Sequence, residues 1–160
     1  MSKKQFNTKV IHEGQKPEEP FGAVSLPIYQ TSTFKQNEFG EYIFDYSRAD
    51  NPTRQNLEKN IASLESGMGA IAYSSGMGAI SSICQLFKAG DEFVFTNNVY
   101  GGTYRLMETI MKRFQLKVRW VDTSSINDIC ENINSKTKMI YIETPTNPMM
   151  TMSNISEISK

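Results

Sequence analysis

The hydrophobic pattern after residue 50 switches repeatedly between the period of a helix and the period of a strand. Apolar residues recur three, four and seven positions apart in several segments, and each such segment predicts one face of a helix. The positions that define these faces are Leu57, Ile61 and Leu64; Ile80, Ile83, Cys84 and Phe87; Leu106, Met107, Ile110, Met111 and Phe114; Ile126, Ile129, Cys130 and Ile133. A last helix is predicted to begin near Asn154.

Short apolar runs between these helices predict strands. They cover residues 70–73, 92–96, 116–120 and 139–142. Lys117 and Arg119 alternate with apolar residues, which indicates one wetter face. The continuous run 139–142 predicts a central strand buried on both faces. Strands that alternate with helices predict an α/β fold with a mostly parallel sheet and helices on both faces.

The first 50 residues show little periodicity and predict an irregular N-terminal extension. Pro17, Pro20 and Pro27 interrupt any regular element, yet Phe21 and Phe34 are among many apolar residues in this region. Because the segment is too apolar for a disordered tail, we expect it to pack against the rest of the domain or a second subunit. We therefore divide the chain into an extension, residues 1–50, and an α/β domain, residues 51–160.

Two sequence signals predict the ends of the first helix of that domain. Asn51 precedes Pro52, a combination typical of an N-cap and the first helical position. Gly67 is the predicted C-terminal stop.

Composition narrows the choice of partners. Lys and Arg number 17 and Asp and Glu also number 17, so the chain of 160 residues has no net charge. This balance argues against nucleic acid or an acidic membrane as the main partner. No apolar run reaches the roughly 18–20 residues of a membrane span. The first six residues carry basic side chains without an apolar core after them, so we expect no secretory signal and a cytoplasmic location.

The cysteines and the histidine offer little chemistry. Cys84 and Cys130 both fall on predicted apolar helix faces, and we interpret them as small buried hydrophobic residues in a reducing compartment. His12 is the single histidine, which argues against a histidine-based triad or a histidine-rich metal site. We therefore expect no bound metal.

The most informative stretch is Ala70-Ile-Ala-Tyr-Ser-Ser-Gly-Met-Gly-Ala-Ile80. It is predicted to pass from a strand through a turn of small residues into a helix. The first N–H groups of a helix lack intrahelical partners and lie at the positive end of the helix dipole. A phosphate fits such a site without a basic side chain. We therefore expect Gly76 and Met77 to bind the phosphate of a cofactor.

Three loops with suggestive chemistry all leave the carboxyl ends of predicted strands. They are residues 74–77, 97–103 and 143–148. In parallel sheets ligands bind at that edge, so we expect these loops to form one site. A dinucleotide-binding domain is the weaker alternative, because the third glycine of its fingerprint and the acidic residue for the ribose are missing.

The motifs together resemble the Cys/Met-metabolism family of pyridoxal-phosphate enzymes, the transsulfuration enzymes. The matching segments are Pro27-Ile-Tyr-Gln-Thr-Ser-Thr-Phe34, Tyr46-Ser-Arg-Ala-Asp-Asn-Pro-Thr-Arg54, Leu57-Glu58, Ser75-Gly-Met77, Gly90-Asp91, Tyr100-Gly-Gly-Thr103 and Glu143-Thr-Pro-Thr-Asn-Pro148. They follow the order of the family along nearly the whole chain. The resemblance implies part of the large domain of a fold-type I enzyme.

The resemblance also implies a role for each site residue. Gly76 and Met77 would bind the phosphate of pyridoxal 5′-phosphate through backbone N–H groups. The segment Tyr46-Ser47-Arg48 would bind cofactor from the neighbouring subunit, and Arg48 would also contact substrate. Tyr100 would stack on the pyridine ring and carry a proton. The remaining implied roles are the substrate carboxylate for Arg105, the 3′-oxygen side of the ring for Asn147 and a structural role for Glu143.

The family's cofactor-binding lysine has no counterpart here. Ser135-Lys-Thr-Lys138 fits the Ser-x-Thr-Lys context in letters only. It lies at the amino end of its predicted strand, about 15 Å from the carboxyl edge. We therefore expect an N-terminal half that cannot bind the cofactor covalently alone. A non-catalytic fragment that pairs with full-length subunits is the alternative.

The resemblance implies β- or γ-elimination or γ-replacement on cystathionine, O-acyl-homoserine or a related amino acid. Methionine γ-lyases tend to have cysteine where Gly102 stands, so a cystathionine γ-lyase or γ-synthase is favoured. The family further implies a homo-oligomer, a tetramer when complete, with active sites shared between two subunits.

Overall fold

A computed structural model describes residues 4–19 and 21–160 as two compact units, Met1–Ala72 and Tyr73–Lys160. Pro20, one of the predicted breaks, and part of the N-terminal segment weighed as a signal lie outside the described residues. The predicted boundary after residue 50 stays a prediction.

The C-terminal unit is built on three parallel strands, β1 (Glu92–Thr96), β2 (Lys117–Val121) and β3 (Thr137–Tyr141). Their order is β2-β1-β3, and every residue of β1 is buried. The prediction of 139–142 as the central strand was therefore wrong for the described sheet, where β3 pairs on one side only. Its apolar side chains nevertheless pack on both faces of the sheet, Met139 and Tyr141 on one and Ile140 on the other, which explains the continuous apolar run without a central position.

Helices cover both faces of this sheet, as predicted. Phe93 and Phe95 of β1 pack on one side with α3 (Gly76–Cys84) and the helical run that begins with α4 (Gly101–Arg105). Val94 points to the other side, where α5 (Ile126–Asn132) and α6 (Ile155–Ile158) contribute apolar side chains. Successive side chains of β1 point to opposite faces of the sheet and therefore belong to two separate cores.

Residues 101–114 form one helical run with three local geometries. After α4 come a π-helical turn, Leu106–Ile110, and a 3-10 turn, Met111–Phe114. The predicted helix is confirmed, but Gly101 and Gly102 belong to its first turn and not to the preceding loop.

Two further local predictions were wrong. No strand forms at residues 70–73, because the N–H of Ala72 donates to Glu58 Oε1 at 2.9 Å and not to a neighbouring strand. Cys130 is exposed, since α5 buries Ile129 and leaves the next position outside; Cys84 is buried as expected.

The N-terminal unit contains α1 (Phe6–His12), which was not predicted, and α2 (Pro52–Leu64). Asn60 Nδ2 donates to the carbonyls of Lys9, Val10 and Glu13 at 3.1, 3.2 and 2.9 Å. This long-range cap explains why so short a helix forms without a sequence signal.

The predicted N-cap of α2 is confirmed, because Asn51 Oδ1 accepts from Thr53 N at 2.8 Å. The left-handed residue at its end is Ser66, with φ 56°, and Gly67 N donates to Ala62 O at 2.8 Å. Ser66 therefore occupies the C′ position, where glycine is usual, and Gly67 follows it at C″. None of the described residues of this unit is fully buried.

Along residues 4–19 and 21–160, no helix combines the length and apolar character that crossing a bilayer requires. The same residues contain no group of three or more His, Cys, Asp or Glu that could hold a metal ion.

Candidate cofactor site

The start of α3 leaves two N–H groups free in the described structure. Ser75 is the N-cap, and its Oγ accepts from Gly78 N at 3.1 Å. The next amide, of Ala79, donates to Ser75 O. Within the described residues, the N–H groups of Gly76 and Met77 have no acceptor. Gly76 is exposed, and nothing lies within 4 Å of the place that a side chain on it would take, so there is open space at this helix start. This is the geometry that binds a phosphate.

Tyr100 lies beside this helix start. A Cβ placed on Gly102 would meet Tyr100 Cε1 at 2.4 Å and Met77 Sδ at 3.0 Å. The tyrosine ring therefore occupies the place of a side chain at position 102, and the ring and Met77 both contact Gly102. Tyr100 is 53% exposed, which leaves it available to a ligand. Gly102 is required here by close packing and not by its backbone angles.

Glu143 fixes the backbone at Tyr100. Its Oε2 accepts from Tyr100 N at 2.9 Å, although the residues are 43 positions apart. Its own N–H donates to Thr96 Oγ1 at 3.2 Å, so the carboxyl end of β1 holds the segment that follows β3. Glu143 thus joins two of the three predicted loops.

Buried hydroxyl groups tie the same sheet edge together. Thr96 Oγ1 and Thr123 Oγ1 are 2.9 Å apart, and Thr123 Oγ1 lies 2.7 Å from Ser153 Oγ. Asn98 Nδ2 donates to Thr146 Oγ1 at 3.1 Å and connects the loop after β1 to the loop after β3. Paired hydroxyl and amide groups therefore hold this edge, and such a network favours one arrangement.

Two predicted site residues lie exposed near these loops. Arg105 ends α4, and its Nη1 would lie 3.3 Å from a Cβ on Gly101; no described carboxylate forms an ion pair with it. Asn147 follows Thr146 in the loop after β3 and is exposed. Both side chains are available to a ligand, and their roles stay predictions.

The opposite, amino edge of the sheet has a different character. Lys138 lies there, exposed, at the second residue of β3. Nearby, Glu92 Oε2 accepts from Asn134 Nδ2 at 2.8 Å and from Arg119 Nη2 at 3.0 Å. The hydrogen bond from Asn134, together with Arg119, lowers the pKa of Glu92. This edge is structural, and Lys138 lies at the end of the strand away from Glu143.

In the N-terminal unit, Tyr46, Ser47 and Arg48 form a loop held by backbone pairing. Phe34 N donates to Asp45 O at 3.0 Å and Ser47 N donates to Ser32 O at 2.8 Å. The Arg48 guanidinium carbon lies 4.5 Å from the centre of the Tyr46 ring, a cation–π geometry. Arg48 is exposed and has no ion-pair partner among the described residues.

Ser47 is used within this loop. Its hydroxyl donates to Thr31 O and accepts from Asn51 Nδ2 at 3.0 Å. Arg54 Nη1 donates to Ser47 O at 3.3 Å, and Nη2 donates to Ala49 O at 2.5 Å. Arg54 therefore braces the loop that presents Arg48, while the Ser47 side chain supports it from inside.

Sequence reasoning missed several of these supporting residues. Asn98, Thr123 and Ser153 carried no motif, since their partners are distant in sequence. Arg54 was seen only as the end of a motif, although its spacing of four positions from both Asp50 and Glu58 was an available signal.

Comparisons with known proteins identify the family of this chain. Residues 7–160 match the family described as Cys/Met metabolism PLP-dependent enzyme. A cystathionine beta-lyase of Lactococcus lactis subsp. cremoris is 46% identical over 155 residues, 96% of this chain and 41% of that protein. A cystathionine gamma-lyase of Bacillus subtilis is 47% identical over 150 residues, 93% of this chain and 40% of that protein.

A solved structure shares the fold. The crystal structure of cystathionine gamma-lyase from Lactobacillus plantarum complexed with L-serine superposes with a TM-score of 0.89 at 42% identity. The match covers 98% of this chain and 41% of that one. The chain thus spans about two fifths of the length of these relatives. With the family match over residues 7–160, these likenesses confirm the resemblance carried by the motifs: the chain belongs to the Cys/Met metabolism family of PLP-dependent enzymes.

Proposed function

We propose that this chain forms the phosphate- and ring-binding part of the cofactor site of a transsulfuration enzyme. The observation that carries the proposal is the pair of free N–H groups at Gly76 and Met77 beside the exposed ring of Tyr100. One donor pair suits a phosphate and one aromatic face suits a pyridine ring, and the Met77 side chain and the Tyr100 ring meet at Gly102. The residues present therefore fit pyridoxal 5′-phosphate.

Each residue acts on the cofactor or the substrate in a defined way. Gly76 and Met77 donate backbone hydrogen bonds to the phosphate, and Tyr100 holds the ring and carries a proton on its phenol oxygen. Arg105 binds the substrate carboxylate, and Asn147 lies on the 3′-oxygen side of the ring. When bound, the cofactor supplies an electron sink for bond cleavage at the substrate Cα.

A second copy of the chain completes the site in this proposal. Arg48 carries a planar, fixed charge that pairs well with phosphate oxygens, and Tyr46 stacks against its guanidinium. The N-terminal unit exposes large apolar side chains, among them Phe21, Phe39 and Ile43, and has no fully buried residue among those described. Such a surface fits a homo-oligomer in which this unit packs on a neighbouring subunit.

The relatives support a proposal for the substrate class. The Lactococcus and Bacillus relatives are a cystathionine beta-lyase and a cystathionine gamma-lyase, and the Lactobacillus enzyme was solved with an amino acid. We infer elimination or replacement at a sulfur- or oxygen-linked amino-acid side chain. Lys138 is not the covalent cofactor residue in this account, because it lies at the amino end of β3.

A subunit-binding fragment without catalysis of its own remains the second candidate. The exposed apolar surface of the N-terminal unit favours it. Sedimentation velocity of the chain, with and without cofactor, separates the two. A monomer at every concentration that ignores cofactor supports the fragment, whereas cofactor-dependent self-association supports the shared site.

The direct test is a calorimetric titration with pyridoxine 5′-phosphate, which has no aldehyde and so cannot react with surface lysines. The proposal predicts saturable binding, with pyridoxine and NAD at least tenfold weaker. Equal affinity for pyridoxine would show that the phosphate does not contribute to binding and would contradict the proposal. Preferred binding of NAD would favour a dinucleotide-binding domain.

A further inference from the structure

Tyr100 is the one predicted catalytic side chain, and its position depends on two neighbouring constraints. The first is the space above Gly102, which the ring fills; a Cβ there would lie 2.4 Å from Cε1 and 3.0 Å from Cδ1. The second is the hydrogen bond from its backbone N–H to Glu143. The ring can lie beside Met77 only while the backbone of Tyr100 keeps its orientation.

The carboxylate of Glu143 is unusually well placed for this purpose. Tyr100 is the N-cap of α4 and has no capping hydrogen bond from its own side chain. Its N–H is bonded by a carboxylate from a separate loop at 2.9 Å. A charge-assisted bond of this kind is stronger than a neutral one. Glu143 is half-buried, and its main chain is held by Thr96 of the central strand.

These contacts link the rigid sheet to the ring. Thr96 is buried in β1 and bonds both Glu143 N and Thr123 Oγ1. Through Glu143, the buried central strand is therefore connected to the residue at which the helical run begins. Functional side chains held by such supporting hydrogen bonds keep their geometry within tight limits.

We propose that Glu143 is a positioning residue that holds the Tyr100 ring against Gly102 and beside Met77. It acts through the Tyr100 N–H and does not itself touch the cofactor. The expected effect on cofactor affinity rests on the proposed function. The expected effect on the position of the Tyr100 ring rests only on the contacts within this chain.

Three substitutions of Glu143 separate its hydrogen bond from its charge, and a fourth substitution elsewhere is the control. Glu143→Gln keeps the reach and an oxygen acceptor but loses the charge. Glu143→Asp keeps the charge but is one methylene shorter, so it cannot make the bond at the same place. Glu143→Ala loses both. Glu131→Ala, on the exposed side of α5, is the matched control.

The first readout is the position of the ring, measured as NOEs from the Tyr100 ring protons to Gly102 Hα and the Met77 methyl group. We expect these NOEs in the wild-type chain, Glu143→Gln and Glu131→Ala. We expect them to be lost in Glu143→Ala and Glu143→Asp. If the alanine variant does not fold, which Trp120 fluorescence reports, the aspartate and glutamine variants decide the question. NOEs that persist in the aspartate variant would overturn the proposal.

The second readout is affinity for pyridoxine 5′-phosphate. Glu143→Ala and Glu143→Asp should weaken binding about tenfold, while Glu143→Gln stays within about threefold of wild type. In a Tyr100→Ala background, Glu143→Ala should change the affinity less than twofold, because the ring it positions is gone. An equal loss in both backgrounds would show that Glu143 acts by another route and would overturn the proposal.

The two readouts also keep the proposals apart. A wild-type chain that shows the NOEs but does not bind pyridoxine 5′-phosphate contradicts the proposed function alone. A chain that binds the ligand but keeps its ring contacts in the aspartate variant contradicts only the role of Glu143.

Discussion

Each of the two units of this chain is stabilised internally by a different kind of contact. The C-terminal unit buries Phe93, Val94 and Phe95 completely and packs helices on both faces of its sheet. The N-terminal unit has no fully buried residue among those described and is held by polar contacts around Asn51, Arg54 and Asn60. A segment ordered by hydrogen bonds, with its apolar side chains outside, is suited to pack against another surface.

The largest expected effect lies in the apolar core. Phe95 is fully buried and stacks on Tyr141 with ring centres 4.5 Å apart. Phe95→Ala should lower the free energy of unfolding by about 3–5 kcal/mol in a urea titration. Phe39→Ala, in the N-terminal unit and fully exposed, should change it by less than about 0.5 kcal/mol. A similar loss of unfolding free energy in both variants would contradict the difference between the two units.

The next effect tests the polar support of the N-terminal unit. Asn51 caps α2 and also donates to Ser47 Oγ and Tyr29 O. Asn51→Ala should cost about 1–2 kcal/mol, seen as faster hydrogen exchange at residues 46–55. Leu57→Ala, on the exposed apolar face of α2, should cost less at concentrations where the chain is monomeric. A larger loss at Leu57 than at Asn51 would contradict the comparison.

The same contrast explains what the sequence could predict. In the C-terminal unit, apolar spacing identified β1 and α5, because burial imposes the period of each element. Asn51 was recognised as an N-cap because capping chemistry is local. Two of the three predicted site loops, 97–103 and 143–148, could be placed together because they follow neighbouring parallel strands, whose carboxyl ends share one edge.

Long-range polar contacts explain the failures. Helix α1 depends on Asn60, which lies 47 positions beyond Glu13. Glu143 acts on Tyr100 across 43 positions. Residues 70–73 have the composition of a strand, but Ala72 bonds a glutamate side chain. No local pattern contains such pairings, so the supporting residues of the site needed the structure.

A third, smaller effect concerns close packing at the site. Gly102→Ala would place a methyl group against the Tyr100 ring and Met77 Sδ. We expect the ring to move and affinity for pyridoxine 5′-phosphate to fall about tenfold, as overpacking of this size costs about 1–3 kcal/mol. Gly69→Ala is the control in the other unit, because nothing lies within 4 Å of its added Cβ. Unchanged affinity in Gly102→Ala would show that the ring position does not matter.

The smallest effect is a pH dependence at the amino edge of the sheet. Asn134 and Arg119 lower the pKa of Glu92 in the folded chain. Its stabilising contribution is therefore present above the ordinary glutamate pKa of about 4.3 and is lost as the pH falls towards the lower folded value. Glu92→Gln should flatten the acid limb of a stability profile between about pH 5 and pH 3. An acid limb with the wild-type slope would contradict this assignment.

The central claim is that the start of α3 binds the cofactor phosphate, and amide NMR tests it most directly. In a ¹⁵N-labelled chain titrated with pyridoxine 5′-phosphate, the amides of Gly76 and Met77 should show the largest saturable shifts. Pyridoxine without phosphate should leave them in place. Shifts centred elsewhere in the chain, or the same shifts with pyridoxine, would contradict the account.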